Sequence, residues 1–404
     1  MLTVLTVIEA REKILSGLGF RLPAERVLLA DAAGRVLAGE ITAPSDLPAF
    51  SRSTMDGYAV AARDSFGATE AMPALLDVTG EVMMGTTAPA PLKSGEAMRI
   101  STGGMLPAGA DAVVMVEHTE LLDEYTVSVH RAAAPGENTI ARGEDLRQGV
   151  AALPPGHILR PQDIGLLAAL GCTGAEVATR PRVAVLSTGD ELVSPECEPA
   201  PGQVRDINTY LLSALVKQTG AVPVPLGIIP DSPQALAAAL HKTKDCDCTI
   251  ISGGSSAGVR DLTADAINSL GKPGVLFHGV SMRPGKPLIY GLAGDKPYFG
   301  LSGNPTSAMV GFLLFVRPLL LAMQGASELQ QLLWARVDRS LSSAGGREDY
   351  VRAILYSKER ELWASPVLGQ SNLISTVVRG SALLRIPQDC EGVEAGEKLE
   401  AIEI

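Results

Sequence analysis

The sequence predicts a multidomain fold of the α/β plus β kind, with a doubly wound, mostly parallel α/β domain as its main part. Three observations lead to this prediction. The chain has 404 residues, which is too many for one ordinary core. Between residue 182 and about residue 323, short apolar runs alternate with amphipathic helical stretches. On both sides of that region, short alternating strands separated by Gly and Pro indicate β-rich parts.

The first half of the chain divides into a helix and a β-rich module. Residues 4–18 have the apolar spacing of an amphipathic helix. From residue 75 to residue 130 the pattern changes to short strands, which indicates a β-rich module inserted between helical pieces. Polar loops at 51–58 and 142–148 border this module.

The central region should form a parallel sheet with helices on both faces. The predicted strands are 183–186, 222–229, 248–251, 275–277 and 298–301, and the predicted helices are 208–219 and 232–240. Pro223 and Pro225 favour an edge position for the second of these strands, because proline cannot donate to a strand ladder. After residue 331 the alternation returns, and we expect a small β-barrel or sandwich there.

Composition excludes several classes of function. A net charge of −11 argues against nucleic acid as a partner, since phosphate contacts need a basic face. Five irregularly spaced cysteines and five scattered histidines predict reduced thiols and no zinc site. The longest apolar stretch, 308–316, is broken by Arg317 and Pro318, so we expect no membrane helix. Charged residues near the N-terminus argue against a secretory signal, and a cytoplasmic location is expected.

Three tight glycine-bearing turns suggest a site for a phosphate or another oxyanion. They are Ser252-Gly253-Gly254-Ser255-Ser256, Arg283-Pro284-Gly285-Lys286-Pro287 and Ser302-Gly303-Asn304-Pro305. Glycine lets backbone N–H groups turn inward, and a helix start adds the positive end of its dipole. The middle turn adds two cations on a loop that proline stiffens. The candidate binding residues are Gly253, Gly254, Ser255, Arg283, Pro284, Lys286, Ser302, Asn304 and Pro305.

Carboxylates at loop tips form a second set of candidates. Glu191 and Asp261 both follow strands of the predicted sheet, so they should rise at one edge and could hold Mg²⁺ beside a phosphate. Asp231 precedes a helix, where a plain capping role is equally expected. Asp56 and Asp145 lie in the loops that border the β-rich module. No nucleophile and base occur at a suggestive spacing, so phosphoryl or nucleotidyl chemistry driven by positioning is favoured.

Taken in order, these motifs resemble those of the molybdopterin molybdenumtransferase family, which includes the C-terminal domain of gephyrin. The resemblance covers essentially the whole chain. The segments that carry it are 53–59, Ser101-Thr102-Gly103-Gly104 with 109–113, Gly143-Glu144-Asp145, 186–192, 252–261, 283–287 and Gly303-Asn304-Pro305. By itself, the Thr102 segment would indicate no more than a turn.

The resemblance implies an elongated protomer of four parts that forms a homodimer. The expected parts are a linking α+β domain (27–45 and 147–178), an inserted β-rich domain (46–146), an α/β molybdopterin-binding domain (179–327) and a C-terminal β-barrel (328–404). An N-terminal helix (1–26) is expected to pack on the α/β domain. Asp56, Thr102 and Asp145 would then reach into the site from the partner subunit.

The resemblance also implies a reaction. Adenylylated molybdopterin and molybdate would give molybdenum cofactor and AMP, with Mg²⁺ required. Glu191 and Asp261 would serve the metal, and the catalytic set would be Asp56, Thr102, Asp145, Glu191, Asp231 and Asp261. Expected protein partners are a molybdopterin adenylyltransferase and acceptor molybdoenzymes.

Three departures from the family pattern fall at the expected anion site. Gly279 replaces a lysine found in many relatives, Ser302 replaces a proline, and Ser255 replaces a valine. Tungstate therefore stays open beside molybdate. Two other classes of function stay open as well: a gephyrin-like scaffold without turnover, and an adenylyltransferase or pyrophosphatase that shares the α/β module.

Overall fold

The predicted multidomain architecture is confirmed in a computed structural model. It describes the backbone of residues 4–253, 257–326 and 333–404, and the side chains of these ranges except 257–261. The structure contains a six-stranded β-rich sheet, a small linking region, a six-stranded α/β sheet and a C-terminal barrel.

The α/β domain is built on a mixed, mostly parallel sheet. Across the sheet the strands are Val222–Ile229, Arg182–Thr188, Cys248–Gly253, Lys296–Leu301, Ile289–Ala293 and Pro273–His278. The first four are parallel neighbours, and the last two add an antiparallel edge. The proline-bearing strand Val222–Ile229 lies at the opposite edge, as its prolines predict.

Helices cover both faces of this sheet. They are Val7–Ser16, Asn208–Gln218, Pro233–His241, Ala257–Ser269, Pro305–Gly311 and Arg317–Met323. The N-terminal helix begins at the cap residue Thr6, whose Oγ1 accepts from the backbone N–H of Glu9 (3.2 Å), while the Glu9 carboxylate accepts from the Thr6 N–H (2.8 Å). Its buried residues Val7, Ala10 and Ile14 belong to the main core of the α/β domain.

Arg317 and Pro318 interrupt the apolar stretch in the sequence, but they do not end the helix that contains it. A π-helical turn, Phe312–Val316, joins the two flanking α-helices into one helix, Pro305–Met323, of 19 residues. Pro318 lacks an N–H and would crowd the preceding turn, and the wider π turn directly before it relieves that conflict. The helix is long and apolar enough to cross a membrane, but 89% of its most apolar window is buried inside the protein. It is a core element of the α/β domain.

The chain enters and leaves the β-rich domain through the linking region. The linking region contains the pairs Ala24–Leu28 with Gly174–Ala178 and Ile41–Thr42 with Ala151–Leu153, and the helix Pro161–Ala169. The β-rich sheet has, in order, Ala112–Met115, Gly57–Val60, Glu96–Ile100, Ala74–Val82, Thr126–Val129 and Thr119–Leu121. The short pair Arg52–Ser53 and Thr139–Ile140 lies where the two regions join.

The C-terminal part is a closed five-stranded barrel. Of the two architectures expected there, the barrel is confirmed and the sandwich is excluded. Its strands are Leu333–Val337, Glu348–Lys358, Glu361–Pro366, Ala382–Ile386 and Lys398–Glu403. The strand Glu348–Lys358 pairs with both Glu361–Pro366 and Ala382–Ile386, which closes the ring. The pair Leu341–Ser342 with Gly392–Val393 and the helix Ile374–Arg379 lie outside it.

One strand ties the barrel to the α/β domain. Met282–Arg283, in the cationic turn, pairs in parallel with Glu348 and Asp349 of the barrel. The backbone N–H of Glu348 also donates to the carbonyl of Ser281 (3.0 Å). The barrel therefore holds this turn directly.

A half-buried charge network stabilises the barrel. The Arg385 guanidinium donates to Glu348 Oε2 (2.8 Å) and Glu400 Oε2 (2.9 Å), and the Tyr350 hydroxyl donates to Glu348 Oε2 (2.6 Å). Burial alone would raise the pKa of Glu348, but the hydrogen bonds from Arg385 and Tyr350 outweigh burial and lower it. Glu348 is buried, so its charge depends on Arg385.

Replacing Arg385 with Met should destabilise the barrel by about 3–5 kcal/mol, because it leaves the buried Glu348 charge without its cation. Both tryptophans, Trp334 and Trp363, lie in barrel strands, so fluorescence during guanidinium unfolding reports on this domain. Arg336→Met is the matched control, since the Arg336–Glu361 pair is more than a third exposed on both sides. The control should cost less than about 1 kcal/mol. Equal losses of unfolding free energy in the two variants would contradict a special role for Arg385.

Candidate active site

The carboxyl ends of four parallel strands meet at one edge of the α/β sheet. In the register, Thr188 lies beside Gly253 and beside Ile229, and Ser252 lies beside Leu301. The ends of these strands, and the described residues that follow them, therefore come together. This edge gathers Asp190, Glu191, Asp231, Gly253 and Ser302 from four separate parts of the chain.

A buried amide holds two of these turns together. Asn208 Nδ2, at the start of a helix, donates to Ser252 Oγ (2.8 Å) and to the Gly303 carbonyl (2.8 Å). The Ser252 hydroxyl in turn lies 3.4 Å from the Ser302 carbonyl. Asn208 is buried, so these contacts are shielded from water. The amide fixes the spacing between the end of the strand Cys248–Gly253 and the turn that follows Lys296–Leu301.

Glycine is required at position 253 because the strand that ends there passes very close to the neighbouring strand end at Thr188. A Cβ atom built at Gly253 would lie 2.2 Å from Thr188 Oγ1 and 2.4 Å from the Thr188 carbonyl oxygen. Its φ of 153° is also rare for a residue with a side chain. The strand end must therefore be glycine for the backbone to pass this closely.

Three carboxylates lie at the same edge. The backbone N–H of Asp231 donates to Asp190 Oδ1 (3.1 Å). The Glu191 carboxylate lies against Gly189, so closely that a Cβ atom built there would be 2.7 Å from Glu191 Oε2. Burial raises the pKa of Asp231, and the neighbouring charges of Asp190 and Glu191 raise it further. Among the described residues, Asp231 Oδ1 is buried with no hydrogen-bond partner of ordinary geometry, and the nearby Thr188 hydroxyl only partly offsets the raised pKa. Asp231 is not the cap of the following helix, because the capping contact comes from Ser232 Oγ (3.2 Å to the Ala235 N–H).

The predicted metal pair is only half described. Asp261 lies in the helix Ala257–Ser269, but its side chain is outside the described residues, as are Gly254 and Ser255. Among the side chains that the structure describes, no three of His, Cys, Asp and Glu converge closely enough to hold a metal ion. The pairing of Glu191 with Asp261 stays a prediction.

A cleft of about 1090 Å³ lies between this edge and the barrel. Arg283, Lys286, Ser302 and Asn304 line one side of it. Pro284 also lines it, whereas Pro305 is fully buried at the first position of the following helix. The structure thus brings the second and third glycine turns to one cleft.

The cationic turn is held in place by backbone contacts. The N–H groups of Val280 and Leu288 both donate to the Lys286 carbonyl (2.9 Å each). Gly285 has a φ of 100°, and a Cβ there would lie 2.7 Å from Met282 Cε. The side chains of Arg283 and Lys286 are exposed on this fixed frame. They are free to meet a ligand in the cleft.

Barrel residues on the other wall were not predicted. Arg352 is buried and donates to Thr306 Oγ1 (3.3 Å), to Thr376 Oγ1 (2.8 Å) and to the Gly369 carbonyl (2.6 Å). The Thr306 N–H donates to the Ser371 carbonyl (3.2 Å). A barrel loop is thereby fixed against the first turn of the helix that follows Asn304. In the sequence, Arg352 occupies one of the polar positions of this alternating strand, between Val351 and Ala353 of the barrel core, where a solvent-facing side chain is the ordinary expectation.

The remaining candidates lie in the β-rich domain and its border. Thr102 donates to Asp56 Oδ1 through its backbone N–H (2.7 Å) and its hydroxyl (3.1 Å). The backbone hydrogen bond, followed by the hydroxyl bond, lowers the pKa of Asp56. Asp145 is exposed. Among the described residues, no hydrogen bond or ion pair joins these three side chains to the α/β domain of the same chain.

Fold and site together define a class of multidomain protein in which an α/β domain and a β-barrel form one cleft at the carboxyl ends of parallel strands. Comparison with known families narrows this class. Residues 5–171 match the "MoeA N-terminal region (domain I and II)", residues 184–322 a "Probable molybdopterin binding domain", and residues 335–404 the "MoeA C-terminal region (domain IV)".

Individual relatives agree over almost the full length. Molybdopterin molybdenumtransferase 2 of Mycobacterium tuberculosis is 37% identical over 382 residues, covering 93% of each chain. The molybdopterin molybdenumtransferase of Haemophilus influenzae is 33% identical and covers 98% of this chain and 97% of its own. The crystal structure of a molybdopterin biosynthesis MoeA protein from Pyrococcus horikoshii OT3 matches with a TM-score of 0.88 at 32% identity, covering 100% of both chains. The chain therefore belongs to the molybdopterin molybdenumtransferase family of enzymes.

Replacing Asp231 with Asn should stabilise the protein at neutral pH. The raised pKa of Asp231 means that its charged form is disfavoured in the folded state, so the ionised carboxylate costs stability above that pKa. As pH falls through the raised pKa toward the ordinary carboxyl value, the wild type regains this stability and the difference should shrink.

Thermal unfolding of both proteins at neutral and mildly acidic pH measures the effect. Asp265→Asn, an exposed carboxylate on the same domain, is the control and should leave the melting temperature unchanged. A lower melting temperature for Asp231→Asn at neutral pH would show that the carboxylate is compensated in the folded protein.

Proposed function

We propose that this protein inserts molybdate or tungstate into adenylylated molybdopterin and releases AMP in a Mg²⁺-dependent reaction. The observation that carries the proposal is the cleft that joins the cationic turn to the turn at Ser302, beside the strand edge where Asp190, Glu191 and Asp231 lie. The names of the relatives supply the substrate class. Such an activity belongs to the last step of molybdenum cofactor formation.

The cationic turn would bind the oxyanion. Molybdate and tungstate are tetrahedral dianions, which suit charge-assisted hydrogen bonds from fixed cations. Arg283 and Lys286 project from a backbone that the barrel and the Lys286 carbonyl contacts hold still. Ser302, which lines the same cleft, adds a hydroxyl. The anion would therefore meet a preorganised site.

The residues at the strand edge fit Mg²⁺. Magnesium prefers oxygen ligands and usually takes one or two carboxylates beside phosphate oxygens and water. The buried Asp231 carboxylate and the adjacent Glu191 carboxylate would supply such oxygens, and Asp261 would complete the set. Bound there, Mg²⁺ would neutralise charge on the phosphoanhydride and on the departing AMP. The carboxylates would orient the substrate phosphates through that ion.

A second copy of the chain would complete the site. Asp56, Thr102 and Asp145 lie in loops of the β-rich domain and make no contact with the strand edge of their own chain among the described residues. We propose a homodimer in which these loops reach the partner's cleft. The lowered pKa of Asp56 would keep it ionised there. A cytoplasmic location, a molybdopterin adenylyltransferase as donor partner and molybdoenzymes as acceptors belong to the same proposal.

AMP release from adenylylated molybdopterin tests the proposed reaction. The assay compares molybdate, tungstate and no added oxyanion, each with and without Mg²⁺. Release that needs Mg²⁺ and is stimulated by an oxyanion supports the proposal, and the better oxyanion identifies the metal. No release from a folded, dimeric sample would favour a scaffold without turnover. Release that follows ATP turnover instead would favour an adenylyltransferase.

Replacing Asp261 with Ala should abolish Mg²⁺-dependent AMP release while the protein stays folded, because one proposed metal ligand is lost. Asp265→Ala removes a carboxylate one helical turn further along the same helix and should keep full activity. Circular dichroism checks the fold of both variants. Unchanged turnover in Asp261→Ala would remove this residue from the site.

Replacing Lys286 with Ala should weaken binding of the oxyanion by about 1.5–3 kcal/mol, the usual loss for one charge-assisted hydrogen bond. Calorimetric titration with molybdate and tungstate measures the change. Lys272→Ala, an exposed lysine on the same domain, should leave the affinity unaltered. If Lys286→Ala binds both oxyanions as tightly as the wild type does, the turn has a structural role only.

A further inference from the structure

A second pocket lies at the opposite end of the α/β domain from the cleft. Its volume is about 410 Å³, and residues of the linking region and of the α/β domain line it together. Such a volume, between two domains, is typical of sites for small molecules. Nothing in the proposed reaction uses this pocket.

The helix Asn208–Gln218 shows that the two sites are separate. Asn208, at its start, contacts the turns of the strand edge. Gln218, at its end, lines the pocket. The chain then enters the strand Val222–Ile229 at its amino end, away from the carboxyl ends that form the candidate active site. The helix has 11 residues, which corresponds to a length of about 16 Å. A ligand in the pocket would not touch the candidate active site.

The pocket combines cations with an apolar floor. Arg180 and Lys217 are exposed at its wall, and Arg317 also lines it. Among the described residues that line the pocket none is acidic, although the whole chain carries a net charge of −11. The buried side chains of Phe312 and Leu313 form part of the floor. A ligand with an anionic head and an apolar body matches both surfaces.

The helix end beside the pocket does not repel an anion strongly. A helix C-terminus normally presents unpaired carbonyl groups, which carry partial negative charge. Here the N–H of Gly220 donates to the Lys217 carbonyl (3.0 Å), and the N–H of Ala221 donates to the Val216 carbonyl (3.1 Å). Gly220 has a φ of 83°, so this is a Schellman motif that satisfies the last carbonyls. Lys217 is thereby left as the main charge at this helix end.

We propose that this pocket binds a small organic anion, a phosphate monoester or a carboxylate on a compact apolar body. Arg180 and Lys217 bind the anionic head, and the floor at Phe312 and Leu313 receives the body. Because the walls belong to two domains, the bound anion stabilises their arrangement. This site is independent of the reaction proposed above.

Ligand-observed NMR and calorimetric titration of the full chain test the site with four probes: phenyl phosphate, benzoate, inorganic phosphate and benzyl alcohol. We expect saturable binding of phenyl phosphate or benzoate, with the tighter one identifying the head group. Inorganic phosphate lacks the apolar body and benzyl alcohol lacks the anionic head, so each should bind at least about tenfold more weakly. Equal affinity for inorganic phosphate, or no saturable binding of either organic anion, would overturn the proposal.

Two double variants locate the binding. Arg180→Gln/Lys217→Gln should weaken binding of the organic anion by about tenfold or more. The control Arg26→Gln/Lys242→Gln removes one exposed arginine and one lysine at another helix end, and it should leave the affinity unchanged. Arg283→Gln/Lys286→Gln removes the cations of the cleft and should leave this binding intact. Loss of binding in the cleft variant, or unchanged binding in the pocket variant, would assign the anion elsewhere and overturn the proposal. Thermal unfolding confirms that each variant is folded.

Discussion

The close packing of strand ends at the carboxyl edge of the sheet is the constraint on which the rest of the site depends. Gly253 passes Thr188 with no room for a Cβ atom, and the Asn208 amide clamps the turn at Ser252 to the turn at Gly303. Since both contacts are buried, they set the positions of the loops before any ligand arrives. The carboxylates of Asp190, Glu191 and Asp231 then lie near one another at this edge, and burial together with the two neighbouring charges raises the pKa of Asp231.

The barrel depends on the α/β domain through the same region. Its strand Glu348–Lys358 carries Glu348 and Asp349, which pair with the cationic turn, and Arg352, which reaches Thr306. One barrel strand therefore touches two of the three glycine turns. A change in the tilt of the barrel would move Arg283 and would strain the helix start at Pro305 at the same time. The width of the cleft follows from this double attachment.

Much of this arrangement could be predicted from the sequence, because its signals are local. Apolar runs followed by glycine turns gave the parallel strands and their shared edge, Ser232-Pro233 gave a helix start, and Pro223 and Pro225 gave an edge strand. The rest depends on partners that are distant in the chain. The antiparallel strand Ile289–Ala293 was not predicted, and its neighbours alone decide its direction. Arg352 joins the cleft only because the outer face of its barrel strand packs against the helix start at Thr306. The domain boundaries and the roles of Asp56, Asp145 and Asp261 remain predictions.

The prolines of the edge strand Val222–Ile229 bear on how copies of this protein can associate. An open sheet edge can recruit a strand from another molecule through its free N–H groups. Pro223 and Pro225 have none, and the register shift between Val185 and Leu186 disturbs the regular ladder beside them. At the far edge, the strand Pro273–His278 also begins with a proline. Two copies therefore gain little by joining their α/β sheets into one continuous sheet, and any contact between two α/β domains would be made by side-chain surfaces.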